Sequence, residues 1–169
     1  MATRKSMWVL FVGILSISAW VLGSAIQAGA ETMNYKSYGY VTKAESVPVG
    51  DVDGHIMTFS TRRSFCIFDN GEVVTQSCVI TGDSIKGSGS SLRYSTMTFS
   101  DDSTIIIKEQ VTRTETAGVS KGEIIKGTGR FKGIKGIVTA KGRLLPVEKD
   151  EVGPKGIGES TITYTLPSK

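Results

Sequence analysis

Thr161-Ile162-Thr163-Tyr164-Thr165-Leu166 alternates without a break: Ile162, Tyr164 and Leu166 fall on one side and Thr161, Thr163 and Thr165 on the other. Side chains of an extended chain point to opposite faces with a period of two, so this stretch reads as a strand with one buried and one wet face. Towards the N-terminus similar segments recur, rich in Thr, Ser, Ile and Val, and no run of a dozen residues repeats its apolar positions at helical spacing. Strands are expected over Tyr35–Thr42, His55–Phe68, Glu72–Thr81, Ser91–Ser100, Thr104–Arg113, Gly122–Gly129, Gly133–Arg143 and Gly158–Leu166. Turn signals separate them at Val49-Gly50-Asp51-Val52-Asp53-Gly54, Asp69-Asn70-Gly71, Gly82-Asp83, Asp101-Asp102 and Gly127-Thr128-Gly129, and the polar stretch Pro146–Gly156 reads as a loop. Eight short antiparallel strands must hide their edges, and a sheet closed on itself does so most completely. The expected fold class is therefore all-β, a single eight-stranded antiparallel barrel, with a two-sheet sandwich as the competing architecture.

The N-terminus carries a different message. Arg4 and Lys5 precede a run from Met7 to Ile26 without a charged side chain, and Ala28-Gly29-Ala30 supplies the small-x-small pattern cut by signal peptidases. Residues 1–30 read as a signal peptide cleaved after Ala30, leaving a single domain over residues 31–169. The uncharged run approaches the length needed to span a bilayer, so a retained single-span anchor is the alternative, and membrane contact is expected only in that case. The expected location is exported, periplasmic or secreted. The whole chain has 20 basic and 16 acidic residues; cleavage removes two basic residues and no acid, leaving 18 against 16. So small an excess gives no electrostatic footprint for nucleic acid, and no such partner is expected.

Cys66 and Cys78 are the two cysteines, an even count that in an oxidising compartment suggests a bridge. Geometry leaves the matter open. A two-residue Asn-Gly turn between them places the cysteines on opposite faces of the hairpin. A three-residue loop places them on one face but about four residues out of register, roughly 13 Å apart and beyond disulfide reach.

Gly127-Thr128-Gly129-Arg130-Phe131-Lys132-Gly133-Ile134-Lys135-Gly136, leading into a strand, resembles the signature of allene oxide cyclase and dirigent-type barrels. Met97-Thr98-Phe99-Ser100-Asp101-Asp102-Ser103-Thr104-Ile105 is similar to the hairpin those barrels place two strands earlier. The likeness covers Ser91 to Arg143 and is nearest to the bacterial exported members of the group. It implies a calycin-like eight-stranded barrel with a largely apolar interior, of the kind related plant proteins use to hold lipid-derived epoxides or phenolic radicals, and a tendency to self-associate. No stretch matches the segments that bear those proteins' functional side chains, so no site residue is carried over.

Several chemistries are excluded or weakened by the residues themselves. The glycines match neither a P-loop nor a dinucleotide fingerprint and lead into a strand, not a helix. His55, the single histidine, rules out a multi-histidine metal site, and Asp51-Val52-Asp53-Gly54 lacks the later ligands of a calcium loop; a turn with a surface imidazole is the simpler reading. No motif implies a metal, nucleotide or flavin cofactor. The carboxylates on strands are Glu72, Glu109, Glu123 and Glu159, and Glu109 stands out because it shares a face with Ile105, Ile107 and Val111. If that face is inward, its carboxyl sits in an apolar setting and is a candidate acid or base; a bulge would instead turn it out beside Lys108. Tyr38, Tyr40, Tyr94, Tyr164 and Phe99 supply aromatic surface that either fills the interior or lines a pocket. The basic residues Lys121, Lys126, Arg130, Lys132, Lys135, Lys141 and Arg143 read as a solvated face. The expected function is binding of a small apolar or amphipathic molecule inside the barrel. A cofactor-independent isomerase or cyclase acting on a lipid-derived substrate is the enzymatic alternative, and a structural envelope protein, self-associating through its outer wall, the third.

Overall fold

The computed structural model describes residues 29–168, so the targeting segment expected over residues 1–30 lies almost wholly outside the described residues. Eight strands follow one another: β1 Glu31–Pro48, β2 His55–Phe68, β3 Val73–Ile85, β4 Ser88–Thr98, β5 Thr104–Arg113, β6 Ala117–Gly127, β7 Lys135–Leu144 and β8 Lys155–Thr165. Each pairs antiparallel with the next, and β8 closes on β1 through Glu31↔Tyr164 to Tyr40↔Lys155, giving a closed eight-stranded barrel. Closure leaves the ladder without a free edge over that span, the constraint that favoured a barrel over a sandwich.

Only β2 and β5 match the expected bounds. β3 runs through the expected Gly82-Asp83 turn to Ile85, because it stays paired with β4 as far as Ile85↔Ser88, and β6 starts five residues early, at Ala117. β1 runs six residues beyond Thr42, to Pro48, because it stays paired with β2 as far as Pro48↔Ile56. Both faces of that extension are exposed, so no alternation marks it in the sequence. Gly129–Phe131 forms a 3-10 turn, and β7 starts only at Lys135. The β2–β3 loop has three residues, with Phe68 N–H bonding the Glu72 carbonyl at 2.9 Å and Gly71 at φ +84°. Cys66 therefore faces Val74 and Cys78 faces Arg62, four residues out of register on the inner wall. Both are buried free thiols. Burial, then the neighbouring Cys78, pushes the Cys66 thiol up to about 12, so it stays protonated and unreactive.

The interior is divided in two. At the end holding the β2–β3, β4–β5 and β6–β7 connections, Phe68, Met97, Phe99, Ile105, Ile107 and Ile162 form a continuous apolar core. The glycine-rich run caps it. Phe131 and Ile134 turn inward, and Phe131 stacks on Phe99 with ring centroids 4.6 Å apart. Arg130 lies over both rings and bonds both Glu72 oxygens at 2.7 Å, tying the cap to the β2–β3 loop. Gly129 has φ +56°, and a Cβ there would stand 2.2 Å from the Ser103 hydroxyl. That hydroxyl bonds the Asp101 carboxylate and accepts from the Arg130 N–H. The motif thus builds the closed end of the barrel.

Gly129→Ala combines a left-handed backbone with this steric conflict and is expected to cost about 2 kcal/mol or more. Urea unfolding checks it, and an unchanged midpoint would show that the cap does not hold the closed end.

Candidate functional site

Beyond the apolar half the inward positions change character. β2, β4 and β5 contribute Arg62, Arg93 and Arg113, and β6, β7, β8 and β1 face them with small residues: Ser120, Ala140, Gly142, Gly158, Ser160 and Ser37. A wall of long cations opposite a wall of small side chains leaves a cavity of about 160 Å³. It lies towards the end holding the β1–β2, β3–β4, β5–β6 and β7–β8 connections. Ile80, Val111 and Leu144 add apolar surface to its lining.

Glu109 is where the inward-facing reading of β5 puts it. The register irregularity in the β5–β6 pairing falls between Ile106 and Ile107, with Ile125 of β6 the residue passed over, so Ile105, Ile107 and Glu109 stay on the inner face. Only 1% of Glu109 is exposed. Its surroundings are polar where it matters: Arg93, its cross-strand partner, donates Nε at 2.9 Å and Nη2 at 2.7 Å to the two oxygens. The hydroxyls of Ser120 and Ser95 donate at 2.8 and 3.4 Å. Four donors on one carboxylate make a saturated ionic pair. Burial pulls the Arg93 pKa down, but the charge and hydrogen bonds of Glu109 outweigh it and leave Arg93 raised and firmly cationic. The pair stands at the level where apolar packing ends and the cavity begins.

Arg62 is placed by glycine. Gly39 and Gly156 pair across β1 and β8, and the Arg62 guanidinium occupies the space their missing side chains leave; a Cβ on Gly39 would come within 2.5 Å of Nε. Its Nη2 donates to the carbonyls of Gly39 and Gly156 at 3.2 and 3.1 Å. Arg113 donates Nη2 to the Ser84 hydroxyl at 3.3 Å. Sequence reading missed all three arginines; the signal was present for two, since Arg93 shares a face with Ser91, Ser95 and Met97, and Arg113 shares one with Ile105, Ile107, Glu109 and Val111.

The aromatic candidates separate. Tyr38, Tyr40 and Tyr94 stand on the outer wall, 40–43% exposed, which corrects their reading as interior walls: the register that buries Tyr35, Gly39 and Ser95 turns them out. Tyr164 and Phe99 do face inward but fill the closed end. The Tyr164 hydroxyl bonds Glu31 at 2.6 Å, and burial together with that bond pushes its pKa up to about 12. Of the remaining carboxylates, Glu72 holds Arg130, Glu123 is exposed, and Glu159 faces out beside Lys141 at 3.1 Å. His55 is held between Asp83 and Asp51, and those two bonds, Asp83 first, raise its pKa. It fastens the β1–β2 loop to β3.

Comparison with known proteins agrees with this geometry at the level of the fold. No family model and no curated protein matches the sequence. Among solved structures, the pterocarpan synthase dirigent protein GePTS1 superposes with a TM-score of 0.54 at 18% identity, over 83% of this chain and 92% of that one. The pterocarpan synthase dirigent protein PsPTS1 gives 0.50 at 18% identity, over 83% and 97%. The chain has a dirigent-type barrel fold. At this identity the likeness concerns the barrel and not its contents.

Glu109→Ala leaves Arg93 buried without its counter-ion and is expected to cost about 3–5 kcal/mol, whereas the double variant Arg93→Met/Glu109→Leu recovers most of that loss. Denaturant unfolding of the three proteins decides it. Equal losses in the single and double variants would mean that the two side chains do not act as a pair.

Proposed function

We infer that the protein is an exported binding protein that holds one compact small molecule in the open half of its barrel. The observation that carries this reading is the cavity itself. One half of the interior is packed with apolar side chains, while in the other half small residues on four strands withhold the volume that would fill it. Eight-stranded barrels can be filled by side chains or can hold one ligand, and here the division between the two falls within a single molecule. The size narrows the occupant. About 160 Å³ is below the roughly 300–1,000 Å³ of sites for drug-sized molecules, which disfavours a long lipid chain and favours a molecule of about one ring.

The enzymatic alternative, an isomerase or cyclase, draws support from the two dirigent neighbours, both pterocarpan synthases. It needs a group free to exchange a proton with a substrate. Glu109, the sequence candidate, has both oxygens engaged by Arg93, so binding is the better-supported reading. A partner-contact role has its own observation: Tyr38 and Phe65 pair across β1 and β2 on the outer wall, and with Ile67 and Ile157 they line an exposed apolar groove. Self-association would use that face.

Ligand-observed NMR against a set of single-ring compounds tests the binding reading, with Ala140→Phe as the control that fills the cavity from β7. Compounds that bind the native protein are expected to lose at least tenfold in affinity to the variant while its circular dichroism is unchanged. No binder at all, or binders indifferent to Ala140→Phe, would remove the cavity from the account.

A further inference from the structure

The cavity wall carries cations without counter-ions. Arg62 and Arg113 both line it, and no Asp or Glu among the described residues does. Glu109, the carboxylate behind that wall, is committed to Arg93. Arg62 and Arg113 meet only uncharged acceptors, two backbone carbonyls and one serine hydroxyl, each through Nη2. Nε of each is buried and has no hydrogen-bond partner among the described residues.

A guanidinium has five N–H donors and keeps its charge in any protein environment. Burying it without an anion forfeits hydration and leaves donors unmet, which proteins generally avoid. Arg62 shows the strain in its direction of shift: burial, and then the like charge of Arg93, pull its pKa down. Such an arrangement makes sense where an anion arrives from outside. Arginine suits that task, because its planar fork matches the two oxygens of a carboxylate.

We propose that Arg62 and Arg113 form an oxyanion subsite, and that the ligand of the barrel is a compact organic acid. Its carboxylate meets these two guanidiniums and its hydrocarbon part lies against Ile80, Val111 and Leu144. The proposal rests on the reading of the cavity as a ligand site. Inorganic phosphate or sulfate shares the oxyanion chemistry, but it would leave those three apolar side chains uncovered; the organic acid satisfies both kinds of wall. This changes the expected ligand from a mainly apolar molecule to an anionic one.

The test uses benzoate, its neutral counterpart benzamide, and inorganic phosphate on the full chain after export. Binding is followed through the arginine Nε–H resonances in ¹H–¹⁵N NMR. Benzoate is expected to shift the Nε–H signals of Arg62 and Arg113 and to bind at least tenfold more tightly than benzamide. Equimolar phosphate is expected not to displace it. Arg62→Gln and Arg113→Gln are each expected to shrink the benzoate preference; the native Nε–H shifts give the same information should either variant fail to fold. Benzamide binding as tightly as benzoate would overturn the oxyanion subsite while leaving the ligand cavity standing. Phosphate matching benzoate would reduce the site to one for free anions and overturn the organic acid. Binding of none of the three, together with failure of the single-ring set, would overturn both readings.

Discussion

The ion pair between Arg93 and Glu109 is the interaction on which the two halves of the barrel depend. A carboxylate that is 1% exposed is tolerable only because a guanidinium and two serine hydroxyls meet it from neighbouring strands. Desolvating both charges is costly, and a buried pair of this kind is not in itself a source of stability. Its effect here is positional. Below it Ile105, Ile107 and Met97 are fully buried in the apolar core; above it the interior is lined by serines, glycines and arginines. A hydrophobic pair in its place could satisfy packing, but it would extend the apolar core to the floor of the cavity and remove the polar boundary.

The closed end and the open end are therefore built by different rules. Around Phe99 and Phe131 the fold relies on aromatic contact, on the cap set by Gly129 and on the hydrogen bonds from Arg130 Nη2 to both Glu72 oxygens. Around Arg62 it relies on absence of side chain: the Gly39–Gly156 pair makes room for a guanidinium that no larger residue would admit. The same economy of volume on β6, β7 and β8 leaves the cavity. Rigid walls and a small void are what preorganised binding of a compact ligand requires, since little ordering has to accompany binding.

How much of this could be read in the sequence depends on what each residue's neighbours reveal locally. The strands were legible because alternation and turn residues are properties of consecutive positions, as in Thr161–Leu166, and the inward face of β5 was legible from Ile105, Ile107 and Val111. The length of β1 was not, because beyond Thr42 its two faces are alike. Which tyrosines face inward was not, because Tyr38 and Tyr40 sit on the face opposite Tyr35, so both faces of the stretch carry tyrosine. The site was missed for a physical reason: Arg62, Arg93 and Arg113 look like solvent-facing charges until the closure of β8 on β1 gives the barrel an inside. The role of Glu109 likewise depends on Arg93, sixteen positions earlier.

The central claim is that the open half of the barrel is a cationic cavity that a compact anion enters. A crystal structure of the protein grown in the presence of benzoate tests it most directly. The account predicts Arg62 and Arg113 facing inward with the carboxylate between them and the ring against Ile80, Val111 and Leu144. Guanidiniums turned out to solvent, with Leu144 collapsed into the vacated space, would contradict it.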